Sequence, residues 1–151
     1  MSIKVFAEEG SKEINSYQEA ITAAGRPMLE AEAIKSGFSQ ACIDREVDYP
    51  TGLKLKGNIG VAIPHGNSKL VNESSISFVR LVRPIEFGLM EDASQSVSVQ
   101  FVFNLALSAG SQHLKALQKL MKLFQEPDFL YNIGALPEGE LQEYLSDALN
   151  S

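Results

Sequence analysis

Val97-Ser98-Val99-Gln100-Phe101-Val102-Phe103-Asn104-Leu105 starts by alternating apolar and polar residues and ends almost wholly apolar. Alternation marks a strand with one wet face, and a continuous β-branched and aromatic run marks a strand covered on both faces. The stretch therefore predicts a central strand. Before it, Ser75-Ile76-Ser77-Phe78-Val79-Arg80-Leu81-Val82 alternates as a half-buried strand. Pro84 is expected to break that strand, because proline has no N–H for a ladder, leaving Ile85-Glu86-Phe87 as a short edge strand. A third strand is predicted from Ile59 to Ile63.

Helical patterns flank these strands on both sides. Spacing of 3.6 residues runs from Ser16 to about Lys35, with Ser16 as N-cap and Glu19 at the capping-box position. Gly25 and Pro27 interrupt it, so it is kinked or divided into two short helices. A second helix is predicted from Ser39 to about Val47. Beyond the central strand, Ser111 is expected to cap an amphipathic helix whose stripe is Leu114, Leu117, Leu120, Met121 and Phe124, read as core. Pro127 suits the start of a short helix. Pro137 to Leu149 reads as a last one, with Leu141, Leu145 and Leu149 spaced by four. Helices, then strands, then helices define the α/β class, with helices covering a mixed sheet. No repeat, low-complexity tract or linker divides the chain, so residues 1–151 are expected to form a single domain.

Composition narrows the partners. The 151 residues are 44% hydrophobic and 21% charged, as in an ordinary soluble domain. Lys and Arg number 13 against 19 Asp and Glu, a net charge of 13 − 19 = −6, which argues against nucleic acid and leaves room for a local basic patch around an anion. The one cysteine, Cys42, excludes an intramolecular disulfide, favours a cytoplasmic setting and reads as a small buried apolar side chain. No signal-peptide core or membrane-spanning run is present, so no membrane insertion is expected. With two histidines and that cysteine, no metal cluster of familiar spacing arises.

The chemistry centres on Ile59-Gly60-Val61-Ala62-Ile63-Pro64-His65-Gly66. Pro64 stops the strand, and Gly66 turns the chain with no Cβ in the way. His65 is thus mounted stiffly just past a strand end, where functional sites gather, as a candidate nucleophile or proton carrier. Upstream, Arg45-Glu46-Val47-Asp48-Tyr49-Pro50-Thr51-Gly52 ends a helix and enters a turn. Arg45 offers planar charged donors suited to phosphate oxygens, Thr51 a hydroxyl, and Gly52 close backbone approach. Taken alone, Arg45 beside Glu46 and Asp48 reads as a solvated ion-pair surface.

Arg45-Glu46, Pro50-Thr51-Gly52 and Val61-Ala62-Ile63-Pro64-His65-Gly66 together resemble the mannitol/fructose-type enzyme IIA of the bacterial phosphotransferase system (PTS). Tyr49-Pro50-Thr51-Gly52 and the stand-alone length are most similar to its galactitol-specific branch. The resemblance spans nearly the whole chain. It implies an α/β/α sandwich with a mixed central β-sheet. It implies a cytoplasmic phosphoryl carrier in which His65 accepts a phosphoryl group from HPr as a tele-phosphohistidine. The group then passes to a cysteine of enzyme IIB, while membrane enzyme IIC moves the sugar. No cofactor is implied beyond the phosphoryl group that phosphoenolpyruvate supplies through HPr. Mannitol-type relatives carry a second histidine at the start of a Leu-rich helix, which His113-Leu114 with Leu117 matches; His113 would stabilise the phosphoryl group without carrying it.

Such chemistry needs a neutral imidazole nitrogen as nucleophile and the other ring nitrogen fixed by a hydrogen bond, for which a backbone carbonyl is the usual device. Arg45, Thr51 and the backbone N–H groups near Gly66 are the candidates for holding phosphoryl oxygens. Leu53, Leu55 and the residues after Gly66 are candidates for a docking surface that donor and acceptor share. Two other readings use the same residues: a regulatory, nitrogen-type enzyme IIA, and a hydrolase with His65 as base, although no Ser or Cys nucleophile motif accompanies it.

Overall fold

The computed structural model describes residues 3–108 and 110–151 and, within these, leaves out the side chains of Ser111 and Gln112. Five strands form one mixed sheet: β1 (Lys4–Glu9), β2 (Gly52–Leu55), β3 (Ile59–Ala62), β4 (Ser75–Leu89) and β5 (Asp92–Ala106). Among the described residues five α-helices accompany them: α1 (Tyr17–Glu30), α2 (Phe38–Asp48), α3 (Ser111–Leu123), α4 (Pro127–Ala135) and α5 (Glu138–Asn150). β1 lies parallel to the first half of β4, β4 pairs antiparallel with β5, β5 lies parallel to β3, and β3 forms a hairpin with β2. The far end of the β4–β5 hairpin returns to β2, where Leu89 meets Gly52.

The apolar half of β5 is the central strand that its sequence predicts. Phe101 and Val102 pair with Arg80 and Val79 of β4 on one side and with Val61 and Ala62 of β3 on the other. Its side chains alternate between two cores. Phe101, Phe103 and Leu105 join Leu120, Phe129, Ile133, Leu141 and Leu145 under α3, α4 and α5. Val102 and Ala106 join Ala20, Ile21, Met28, Phe38 and Cys42 under α1 and α2. Helices thus cover both faces, and the fold is the expected α/β/α sandwich.

Several expectations change in the folded chain. Pro84 does not end its strand. Between the pairs Arg80–Phe101 and Ile85–Val99, β4 advances five residues while β5 advances two, so Pro84 sits in a bulged stretch where no ladder bond requires its N–H. Ile85-Glu86-Phe87 therefore continues β4 and pairs with β5. α1 passes through Gly25 and Pro27 as one helix and stops at Glu30. Its N-cap is as predicted, with the Glu19 N–H donating to Ser16 Oγ at 3.2 Å. Gly110 takes the N-cap position of α3, which the sequence assigned to Ser111. β1 and β2 are too short and too mixed in composition to announce themselves.

Candidate functional site

β3 ends at Ala62, and the chain leaves it through Ile63-Pro64-His65. The exit is anchored on both sides. The Leu105 N–H donates to the Pro64 carbonyl at 2.9 Å, and His65 bridges Leu105 in parallel register. Gly66 packs against α2, where a Cβ would come within 3.2 Å of Cys42 Sγ and 3.3 Å of the Cys42 nitrogen. A Cβ there would be a tight contact, and the bare glycine lets the two segments approach closely.

The His65 ring has a defined tautomer. Its Nδ1 lies 2.9 Å from the Ile63 carbonyl oxygen. A carbonyl only accepts, so Nδ1 carries the proton and Nε2 is left with the lone pair. Burial holds the imidazole pKa below its ordinary value; the Ile63 hydrogen bond opposes this, and the positive charges of Arg45 and His113 add to it. The neutral ring with a bare Nε2 is the form a nucleophile requires.

His65 lines an open cleft of about 420 Å³ with Arg45, Gly66, Ser68, His113 and Leu114. His113, in the first turn of α3, sets its ring edge-on to His65 with centroids 5.9 Å apart. Arg45, in the last turn of α2, lays its guanidinium over the Tyr49 ring, 5.0 Å from the centroid, a cation–π contact that limits where the arginine points. None of the described lining residues is acidic. In a chain of net charge −6, a cleft lined by Arg45 and by no described acidic residue is a local reversal of sign suited to an anion.

The structure thus brings His65, Gly66, Arg45 and His113 together, but not Thr51. Thr51 is 2% exposed, and its hydroxyl is engaged below the cleft: it donates to the Glu46 carboxylate, at 3.0 and 3.1 Å from the two oxygens, and accepts the Ile63 N–H at 3.2 Å. Gly52 serves strand packing, since a Cβ there would lie 2.5 Å from the Gly88 carbonyl oxygen. Leu53 and Leu55 turn into the core under α3–α5, because β2 runs antiparallel to β3 and carries Leu55 to the end remote from His65. Leu114, read as core, is instead 56% exposed at the cleft.

Glu46 is the residue that the sequence reading misplaced. It is 5% exposed and receives the Thr51 N–H at 2.6 Å as well as the hydroxyl. Burial raises its carboxyl to about 7 against the pull of the two Thr51 hydrogen bonds and Arg45. The signal was present: Phe38, Cys42 and Glu46 are spaced by four and are the buried residues of α2. Asn104 and the Ile63 carbonyl were missed as well, the first concealed within an apolar run.

A sandwich offering one fixed-tautomer imidazole to an anion at a strand end is the class that fold and site define. Residues 8–148 match the model of the phosphoenolpyruvate-dependent sugar phosphotransferase system EIIA 2 family, and the chain belongs to that family. It is 32% identical over 128 residues to the galactitol-specific EIIA component of the Escherichia coli (strain K12) PTS, covering 85% of this chain and 84% of that protein. It is 28% identical over 144 residues to the mannitol-specific enzyme IIA component of Enterococcus faecalis, covering 93% and 94%. Its fold matches the enzyme IIA of mannitol in the Escherichia coli complex with phosphorylated enzyme IIB, with a TM-score of 0.70, 21% identity and coverage of 95% and 94%. Among the described residues no helix is long and apolar enough to cross a membrane.

Proposed function

We propose that this EIIA protein is a phosphoryl carrier of the sugar phosphotransferase pathway, loaded on Nε2 of His65. The observation that carries the reading is the ring itself: Nδ1–H is committed to the Ile63 carbonyl, which leaves Nε2 a bare lone pair on a ring that lines the cleft with Arg45 and His113. In the proposed cycle that lone pair attacks phosphorus on the phosphohistidine of HPr. The donor P–N bond breaks, its electron pair stays on the donor ring, and a new P–N bond forms at Nε2. The loaded ring keeps its proton on Nδ1, donated to the Ile63 carbonyl. A thiolate of the cognate enzyme IIB then attacks phosphorus, and the Nε2–P bond returns its electron pair to the imidazole. Transfer of this kind depends on positioning and charge stabilisation, which Arg45, His113 and the backbone at Gly66 would supply. The group originates in phosphoenolpyruvate, the protein works in the cytoplasm without a further cofactor, and membrane enzyme IIC moves the sugar. The kinship with a galactitol-specific component favours galactitol or a related polyol as cargo.

The test is intact-mass analysis after incubation with phosphoenolpyruvate, enzyme I and HPr, with His65→Ala alongside. One added phosphoryl group on the wild type and none on the variant is the expected result. No uptake from a competent HPr would sink the reading. Uptake without transfer to any enzyme IIB cysteine would turn it towards the regulatory alternative.

A further inference from the structure

Asn104 lies in the apolar half of β5, among Val102, Phe103, Leu105 and Ala106, and is fully buried. Strand alternation directs its side chain to the face under α1 and α2. There Nδ2 donates to the Pro64 carbonyl at 3.0 Å and lies 3.6 Å from Cys42 Sγ. Because a carbonyl only accepts, the amide nitrogen is the end that faces Pro64, and Oδ1 points elsewhere. Among the described residues Oδ1 has no hydrogen-bond partner, and neither has Oγ of Ser77, the residue directly across from Asn104 on β4.

A buried oxygen left without a partner destabilises a fold, whereas an apolar side chain of similar shape leaves nothing unpaired. For stability alone, leucine suits this position better than asparagine. The Pro64 carbonyl would not be orphaned by such a change, since the Leu105 N–H already serves it. What the amide adds is a second donor from a different direction, fixing the orientation of the peptide that leads into His65. Thr51 holds the Ala62–Ile63 peptide, two units upstream, by accepting the Ile63 N–H. Departures from the best-packed choice are expected where function imposes them.

We propose that Asn104 is a positioning residue for phosphoryl transfer: by clamping the Pro64 carbonyl it sets where the His65 ring stands in the cleft, at a cost in fold stability. The inference rests on the phosphoryl-carrier reading of His65.

Asn104→Leu and Ser77→Ala test it in three measurements on the whole protein: the denaturant midpoint, single-turnover phosphoryl uptake from phospho-HPr, and NMR titration of the His65 imidazole. Asn104→Leu is expected to unfold at the same or a higher denaturant concentration, yet to take up the phosphoryl group about ten-fold more slowly, as a sub-ångström displacement of a reacting atom does. Its His65 should titrate nearer the ordinary histidine value, because a loosened ring is better solvated. Ser77→Ala should gain stability and keep wild-type uptake and titration. Unchanged uptake and titration in Asn104→Leu overturns the proposal. A midpoint that drops in step with uptake overturns it too, since the amide would then be structural. If the wild type accepts no phosphoryl group, the carrier reading fails by itself. The His65 titration, which needs no donor, still decides whether Asn104 places the ring.

Discussion

The sheet face beneath α3, α4 and α5 is aromatic and dry, with Phe103 packed against Phe78, Phe124 and Phe129 at ring-centroid distances of 4.8, 5.4 and 6.5 Å. The face beneath α1 and α2 holds Glu46, Thr51, Ser75, Ser77 and Asn104, all buried, together with Cys42, whose thiol burial pushes up to about 12. One face therefore supplies cohesion through apolar contact. The other gives up part of that cohesion to buried polar groups, and hydrogen bonds from Thr51 and Asn104 end on the backbone leading into His65. A strand end alone gives an approximate position for a side chain; directional bonds to the backbone around it give a defined one.

The sharpest break in this comparison is Phe103→Ala. It opens a cavity in the dry face and should destabilise the fold by about 3–5 kcal/mol in denaturant unfolding. Phosphoryl uptake per folded molecule should stay at the wild-type rate; a parallel fall would mean that the two faces are not independent. Arg45→Gln should do the reverse. Uptake should drop about 100-fold, or about 2.7 kcal/mol of transition-state stabilisation, while the unfolding free energy moves by less than about 0.5 kcal/mol.

The smallest effect sharpens the comparison through pH. In the folded chain burial raises the Glu46 carboxyl from 4.5 to about 7, so between those values the folded state binds more protons than the unfolded one. Its contribution to stability is complete below pH 4.5 and is lost as pH rises through 7. His65 acts in the opposite sense. Burial lowers its pKa from 6.5, so stability is lost as pH falls below that value and the unfolded imidazole takes up a proton first. Glu46→Gln removes the first slope and should expose the second: unfolding free energy measured from pH 4.5 to 7 should climb with pH in the variant. A variant that keeps the wild-type profile would show that Glu46 is solvated and not part of the wiring.

Much of this molecule is legible locally. Pro64 after an apolar run fixes where β3 gives way, and so where His65 stands. Ser16 with Glu19 fixes the start of α1, and the leucines spaced by four fix the inner side of α5. Arg45 and Glu46 show the limit of such reading. Adjacent residues of opposite charge at a helix end read as one wet surface, yet a helix turns 100° per residue, and here that rotation takes the arginine to the cleft and the glutamate into the core. Pro84 shows another: whether a proline ends a strand depends on whether the partner strand asks for its N–H.

Periodicities, stops and the mounting of His65 just past a strand end could be read from the chain alone, because these depend on side-chain shape and backbone propensity within a few residues. The tertiary structure decided what surrounds that imidazole. His113 from the start of α3, Arg45 from the end of α2 and Asn104 from near the end of β5 converge around His65 only once the sheet has ordered its strands. Which residues meet across a sheet is set by strand register and by the helices that cover each face, and both are settled by burial summed over the whole chain.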